Sequence, residues 1–333
     1  MVEPNFSSGR AAERPDAAVG SAPLAEPAAG AAIDPSKEPE GRKETKHLSR
    51  SRLIWRRYWR SAGGKIGLVG LAVILLLALI GPSLALWDYW VVDDNAFLSM
   101  PSGDHWFGTN QGGFDVFAMT VEGLRKSLVI GFAVAAIVEI LAALIGASAA
   151  YFGKKVGMVL QWITDLLLVV PSFLIIAIIS QHTAGSKSST WLLIILLAAF
   201  SWMISARVIR AMTLSLVNLD YVTAAKFMSV PSLVVIVKHV IPNVASYLII
   251  DFTLGVVGAI MSETTLSFFG FGVQKPETSL GTLLGDGMAS ATTSPWIFLF
   301  PAGVLVVLLL CVNFVGDALR DAIDPSSKSG GAA

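Results

Sequence analysis

The sequence predicts an all-α, polytopic membrane protein with six transmembrane helices. Three observations carry that expectation. Hydrophobic residues make up 54% of the 333 positions. Only 14% are charged, where a soluble domain carries about a quarter. The apolar residues also gather into long runs separated by short polar stretches. The 24 Lys+Arg balance the 24 Asp+Glu, which with the shortage of charge excludes an ordinary cytosolic enzyme of this length, a disordered chain and a nucleic-acid binder relying on overall basic charge. The single cysteine, Cys311, lies inside an apolar run, so neither an intramolecular disulfide nor a cysteine metal cluster is available.

In chain order, residues 1–47 are rich in Ala, Pro, Glu, Ser and Gly without apolar periodicity, and are expected to form a disordered arm. No apolar h-region precedes Ile66, and the basic cluster at 50–60 follows the arm, so the first hydrophobic segment is expected to be kept and not cleaved. Runs at 66–87, 128–151, 158–180, 191–212, 244–268 and 296–315 each supply the roughly 20 residues needed to cross a ~30 Å hydrocarbon core. Backbone groups cannot stay unpaired in lipid, so each run must be a helix.

With the amino terminus inside, 20 of the 24 Lys+Arg fall in inner segments; the outer four are Arg125, Lys126, Lys187 and Lys275. That bias predicts cytoplasmic amino and carboxy termini. One inner connection, around 152–157, is a tight turn. The other, 213–243, is long and contains Asp220-Tyr221-Val222-Thr223-Ala224-Ala225-Lys226. Small Ala side chains permit close approach of another backbone, and Pro231 and Pro242 are expected to break the segment into short pieces. Periodicity alone leaves two readings open: a docking surface, or a helix lying on lipid headgroups.

The stretch from Asp220 through His239-Val240-Ile241-Pro242-Asn243 resembles the EAA loop of type I ABC importer permeases in its peptide-uptake form. Four further blocks resemble the C-type subunit of dipeptide and oligopeptide (nickel) permeases. They are Phe107-Gly108-Thr109-Asn110 with Asp115-Val116-Phe117 and Gly123-Leu124-Arg125-Lys126-Ser127-Leu128; Tyr151-Phe152-Gly153 with Asp165-Leu166-Leu167 and Pro171; residues 263–274; and residues 313–325. Their shared order covers most of the chain after the arm. The sequence departs from the pattern at three places. Thr223 stands where the acidic residue opens the triplet, Ser229 where a glycine is expected, and Phe114 where a basic residue precedes Asp115. A glycine at 229 would allow a positive φ; with Ser229, Pro231 is expected to stop one helix and open the next.

The resemblance implies a first helix with an outer loop at 48–122, a five-helix type I transmembrane domain at 123–318 with its coupling loop at 213–243, and a cytoplasmic tail at 319–333. It implies half of a pore, paired with a homologous permease subunit, two ATPase subunits on the inner side and a peptide-binding protein outside. Asp220, Tyr221, Ala224, Ala225, Ser229, His239 and Pro242 are the expected coupling-loop residues, at or beside the ATPase contact. No Gly-x-x-x-x-Gly-Lys-Ser/Thr loop occurs in the chain, so ATP and Mg are expected to be bound by the partner ATPases, with no cofactor in this chain.

Charges within spans are costly and therefore informative. Asp165 and Arg207 lie at matched depth, about 8–11 Å from the inner ends of the third and fourth spans at 1.5 Å per residue, and are expected to pair. Glu139 sits near the middle of the second span, facing the pore or the partner permease. Asp251 and Glu263 lie nearer opposite ends of the fifth and could reach an interface. His47, His105, His182 and His239 are scattered without metal-ligand spacing, no Gly-x-Ser-x-Gly elbow occurs, and Gly270-Phe271-Gly272 reads as a helix end. A self-sufficient secondary transporter or channel is the alternative class, weakened by the lack of a detectable inverted repeat. Within the family, peptide is the expected substrate, with nickel and glutathione as alternatives.

Overall fold

The computed structural model describes residues 50–182 and 189–323. The arm at 1–47, most of the tail, Lys187 and Lys328 lie outside the described residues. Among those described, every regular element is helical, and strand pairing is limited to two isolated bridges, Val92 with Phe114 and Thr109 with Asp115.

A short helix, α1 (Arg50–Tyr58), precedes α2 (Ala62–Leu84), whose amino end is capped by Ser61 accepting the Gly64 amide. Helix α3 (Val116–Tyr151) starts well before the expected residue 128, because Asp115 caps it by accepting the Ala118 amide at 2.7 Å. Its 36 residues span about 54 Å against about 30 Å of hydrocarbon, so part of α3 stands outside the span.

The expected third span is a correction. It consists of two helices, α4 (Lys154–Val169) and α5 (Ser172–His182), bent by 72°. Pro171 is the cause: its ring drives Val170 out of the helical region to φ −68°, ψ 125° and removes a backbone donor.

Helix α6 (Ser189–Leu216) leads into α7 (Asp220–Phe227), α8 (Ser232–Val235) and a π-helical turn, Ile236–Val240, which runs directly into α9 (Ile241–Phe268). A further short helix, α10 (Leu280–Met288), was not anticipated; Ser279 and Thr282 cap it reciprocally. The last helix, α11 (Trp296–Ile323), continues past the expected residue 315. Among the described residues, five helices are therefore long and apolar enough to cross a membrane, six when the bent α4–α5 pair counts as one span.

The centre of the bundle is α3, which packs most extensively on α6 and α9. Ile130, Val134, Ala142, Leu197, Ile209 and Val244 are buried there. Lipid is as apolar as leucine, so helices associate through close backbone approach. Gly146 provides it between α3 and α6: a Cβ at that position would lie 2.5 Å from the Ala206 carbonyl oxygen. Ile74, Leu124, Ile260 and Leu308 form a second cluster that joins α2 and α11 to α3 and α9.

At the start of α3, the lobe of residues 85–115 is held by His105. Its Nδ1 lies 2.9 Å from Asp115 and its Nε2 3.3 Å from Asp93, with the ring stacked on Trp87. Trp296 donates to the Thr109 carbonyl, and Phe107 stacks on Phe300 at 4.1 Å.

Candidate coupling segment and mid-span polar site

Helix α7 packs at the Tyr151 end of α3. Val222 and Ala225 are buried with Val235, against Tyr151 and Val230, and the Lys226 ammonium sits 4.7 Å above the Tyr151 ring. Asp220 in the first turn and Lys226 in the last complement the helix dipole.

The end of α7 explains how the chain turns. The Ser229 amide donates to the Lys226 carbonyl and the Val230 amide to the Ala225 carbonyl, the paired bonds of a Schellman motif. That motif places its turning residue in the left-handed region, and Ser229 has φ +55°. The serine therefore adopts the conformation expected of the glycine it replaces. Pro231 does open α8, as its N-cap residue.

Pro242 behaves otherwise than expected. It does not break the segment but sits at the start of α9, in helix continuous with the π turn before it. The wider turn at Ile236–Val240 makes room for a proline ring that would otherwise clash with a carbonyl one turn back. His239 lies in this turn with its ring 6.4 Å from that of Tyr221, and its carbonyl accepts from the Asn243 side chain at 2.6 Å.

The expected coupling residues thus divide. Asp220, Tyr221, Ala224, Ser229 and Pro242 are exposed, and His239 is partly so. Ala225 is a correction: only 2% exposed, it is turned into the chain's own packing and offers no surface to a partner. Sequence reasoning passed over the residues that dominate the outward face: Phe227 is 85% exposed, Met228 71% and Leu233 63%. Their signal was two large apolar residues at the end of a polar helix, directly before the turn.

The second constellation lies within the bundle. Glu139 of α3 and Asp251 of α9 line one cavity of about 200 Å³, together with Ser201 and Ser205 of α6 and Ser262 of α9. Glu139 Oε2 and Asp251 Oδ2 are buried without a hydrogen-bond partner among the described residues. A cavity this rich in acceptors can hold water or a cationic group far better than an apolar one. Ser201 and Ser205, four residues apart on one face of α6, were the missed signal.

Asp165 and Arg207 meet, joining α4 to α6, and the Gln161 amide also donates to Asp165 at 3.2 Å. Their side chains are 48% and 44% exposed, so the pair looks outward from the bundle. Glu263 is the second correction. It does not reach an interface but is wholly buried, accepting from Ser127 at 3.1 Å and Ser267 at 2.6 Å. Ser127 in turn accepts the Leu280 amide. Two hydroxyl donors, one of them relaying the Leu280 amide, make Glu263 a hub fastening α10 to α3 and α9, consistent with the rule that buried polar groups are hydrogen-bonded.

The family described as the binding-protein-dependent transport system inner membrane component matches residues 140–329. The chain belongs to this permease family. The N-terminal transmembrane domain of oligopeptide transport permease C matches residues 49–101, so the chain is a permease of the C type. It is 48% identical over 285 residues to the oligopeptide transport system permease protein OppC of Mycobacterium tuberculosis (strain ATCC 25618 / H37Rv), covering 86% of this chain and 98% of that one. Identity is 36% over 283 residues to the OppC of Haemophilus influenzae (83% and 90% covered) and 35% over 285 residues to that of Escherichia coli K12 (83% and 93%). With its long apolar helices, this permease is a multi-pass protein of the bacterial inner membrane. The matched region 140–329 contains the whole 213–243 segment, Asp165, Arg207, Asp251 and Glu263, and begins one residue after Glu139.

Proposed function

We propose that this permease forms half of the translocation pathway of an ATP-driven importer of di- or oligopeptides, and that the segment 213–243 carries the movement of the ATPases into the helices. The observation that supports the reading is the two-sided character of α7 and α8. One side is fastened to α3 through Val222, Ala225 and Val235; the other presents Tyr221, Phe227, Met228 and Leu233 outward. A rigid element held on one side and apolar on the other transmits displacement, where a floppy loop would absorb it. Peptide as the substrate is supported by the oligopeptide permeases to which the chain is similar.

In this reading a homologous permease supplies the other half of the pore, two ATPase subunits bind ATP and Mg, and a peptide-binding protein delivers substrate from outside. The Lys and Arg bias supports a cytoplasmic position for both termini and the 213–243 segment. The test is reconstitution. The chain with its partner permease, the ATPases and the binding protein should import labelled di- and oligopeptides only with ATP, and the chain purified alone should hydrolyse none. Saturable hydrolysis by the single chain, or peptide uptake without ATPases, would overturn the assignment.

A further inference from the structure

The short helix α1 is not used by any part of the transport reading, and its surface is divided in a telling way. Ile54 and Tyr58, four residues apart, turn onto Ala318, Leu319 and Ala322 of α11, and the Tyr58 hydroxyl donates to the Gly64 carbonyl at 3.0 Å. That face fixes the helix against the ends of α2 and α11. The rest of the surface faces away. Trp55 and Trp59 are 59% and 40% exposed, with their rings edge to face at 5.5 Å. Arg52, Arg56, Arg57 and Arg60 are all exposed, and none makes an ion pair among the described residues.

Two ordinary explanations cover only part of this. Arg56 and Arg57 in the last turn suit the helix dipole, but Arg52 near the other end does not. Scattered surface arginines need no partner, but here Arg52, Arg56 and Arg57 share α1 with the exposed Trp55, and Trp59 and Arg60 follow in the turn that ends it. That helix lies three residues before a span that starts at Ala62, so the bilayer surface is its immediate neighbour. Indoles settle at the level of the headgroups, and guanidinium groups bind phosphate in a bidentate fashion. Anionic headgroups supply the missing counter-charge.

We propose that α1 and the turn after it form a docking site for anionic phospholipid, held by Arg52, Arg56, Arg57 and Arg60 and levelled in the interface by Trp55 and Trp59. The site selects lipid by charge, and through Tyr58 and Ile54 it ties that lipid to the ends of α2 and α11.

The experiment uses the full-length chain in vesicles, with spin-labelled phosphatidylglycerol and spin-labelled phosphatidylcholine as probes of the motionally restricted lipid. The wild-type chain is expected to prefer phosphatidylglycerol, and R52Q/R56Q/R57Q/R60Q to lose at least about fivefold of that preference, since each basic residue at a membrane surface contributes about a factor of five. The corresponding four Arg→Lys changes should retain most of it. If the Arg→Gln chain fails to insert, salt decides with the unmodified protein: raising it from 50 to 500 mM should collapse the preference, screening having shortened the reach of these charges. A wild-type chain without the preference, a preference indifferent to salt, or one abolished by K154Q/K155Q and retained in the four-arginine variant would each overturn the proposal.

Discussion

Ser229 shows how much one residue can carry. It holds a left-handed conformation that an L side chain enters at a cost of about 1–2 kcal/mol, and does so because two Schellman hydrogen bonds and the start of α8 fix the turn around it. Ser229→Gly is therefore expected to raise the stability of the detergent-solubilised protein, by up to about 1 kcal/mol once the extra freedom of glycine in the unfolded chain is counted. A lower thermal midpoint for S229G would contradict this. Ala224 and Ala225, adjacent in sequence, should respond in opposite ways. Ala225→Leu overpacks a site walled by Val222 and Val235, costing about 1–3 kcal/mol, and should reduce the yield of folded chain. Ala224→Leu, on the exposed side, should leave folding intact and lower only the affinity for the ATPase, as read by co-purification. Equal effects at the two positions would remove the two-sided description of α7.

Between elements, the contacts near the start of α3 are electrostatic and so depend on pH. Lys126 of α3 reaches Glu277 at 2.7 Å, and Thr190 at the start of α6 donates to the same carboxylate. Partial burial works to raise the Glu277 pKa, but the Lys126 and Thr190 bonds outweigh it and hold the group below the usual carboxylate range. A depressed pKa contributes stability that is present above the unfolded value, about 4.3, and is lost as pH falls through the folded one. The protection of amides around residues 274–279, as exchange rates divided by the intrinsic rate at each pH, should therefore be high at pH 7 and fall below about pH 4, and in E277Q it should be low throughout. The same acid response in E277Q would assign it to other groups. The bend between α4 and α5 belongs to this scale too. Its cause, Pro171, was legible in the sequence, but a hydropathy window averages over a single proline and so read one straight span.

Across the whole molecule, the sequence made the helices legible because lipid enforces long apolar runs, and it made the family legible because the 213–243 segment and its flanking blocks keep their order. Burial was less accessible. Ala225 and Glu263 point inward for reasons set by tertiary neighbours: Val235 closes over the first, and Ser127 and Ser267 satisfy the second. Neither neighbour is close in sequence except Ser267, one helical turn from Glu263. Glu139 and Asp251 were singled out separately for their cost, but only the packing of α3 on α9 brings them to one cavity with Ser201 and Ser205. The central claim is that the outward side of α7 and α8 receives the ATPase. Its most direct test is a photo-crosslinking residue placed at Phe227, Met228 or Leu233 in the assembled transporter, with Val306, an exposed position within the α11 span, as reference. The account predicts covalent capture of the ATPase subunit from all three positions and none from 306; a transport-active complex that yields no ATPase adduct at 227, 228 or 233 would contradict it.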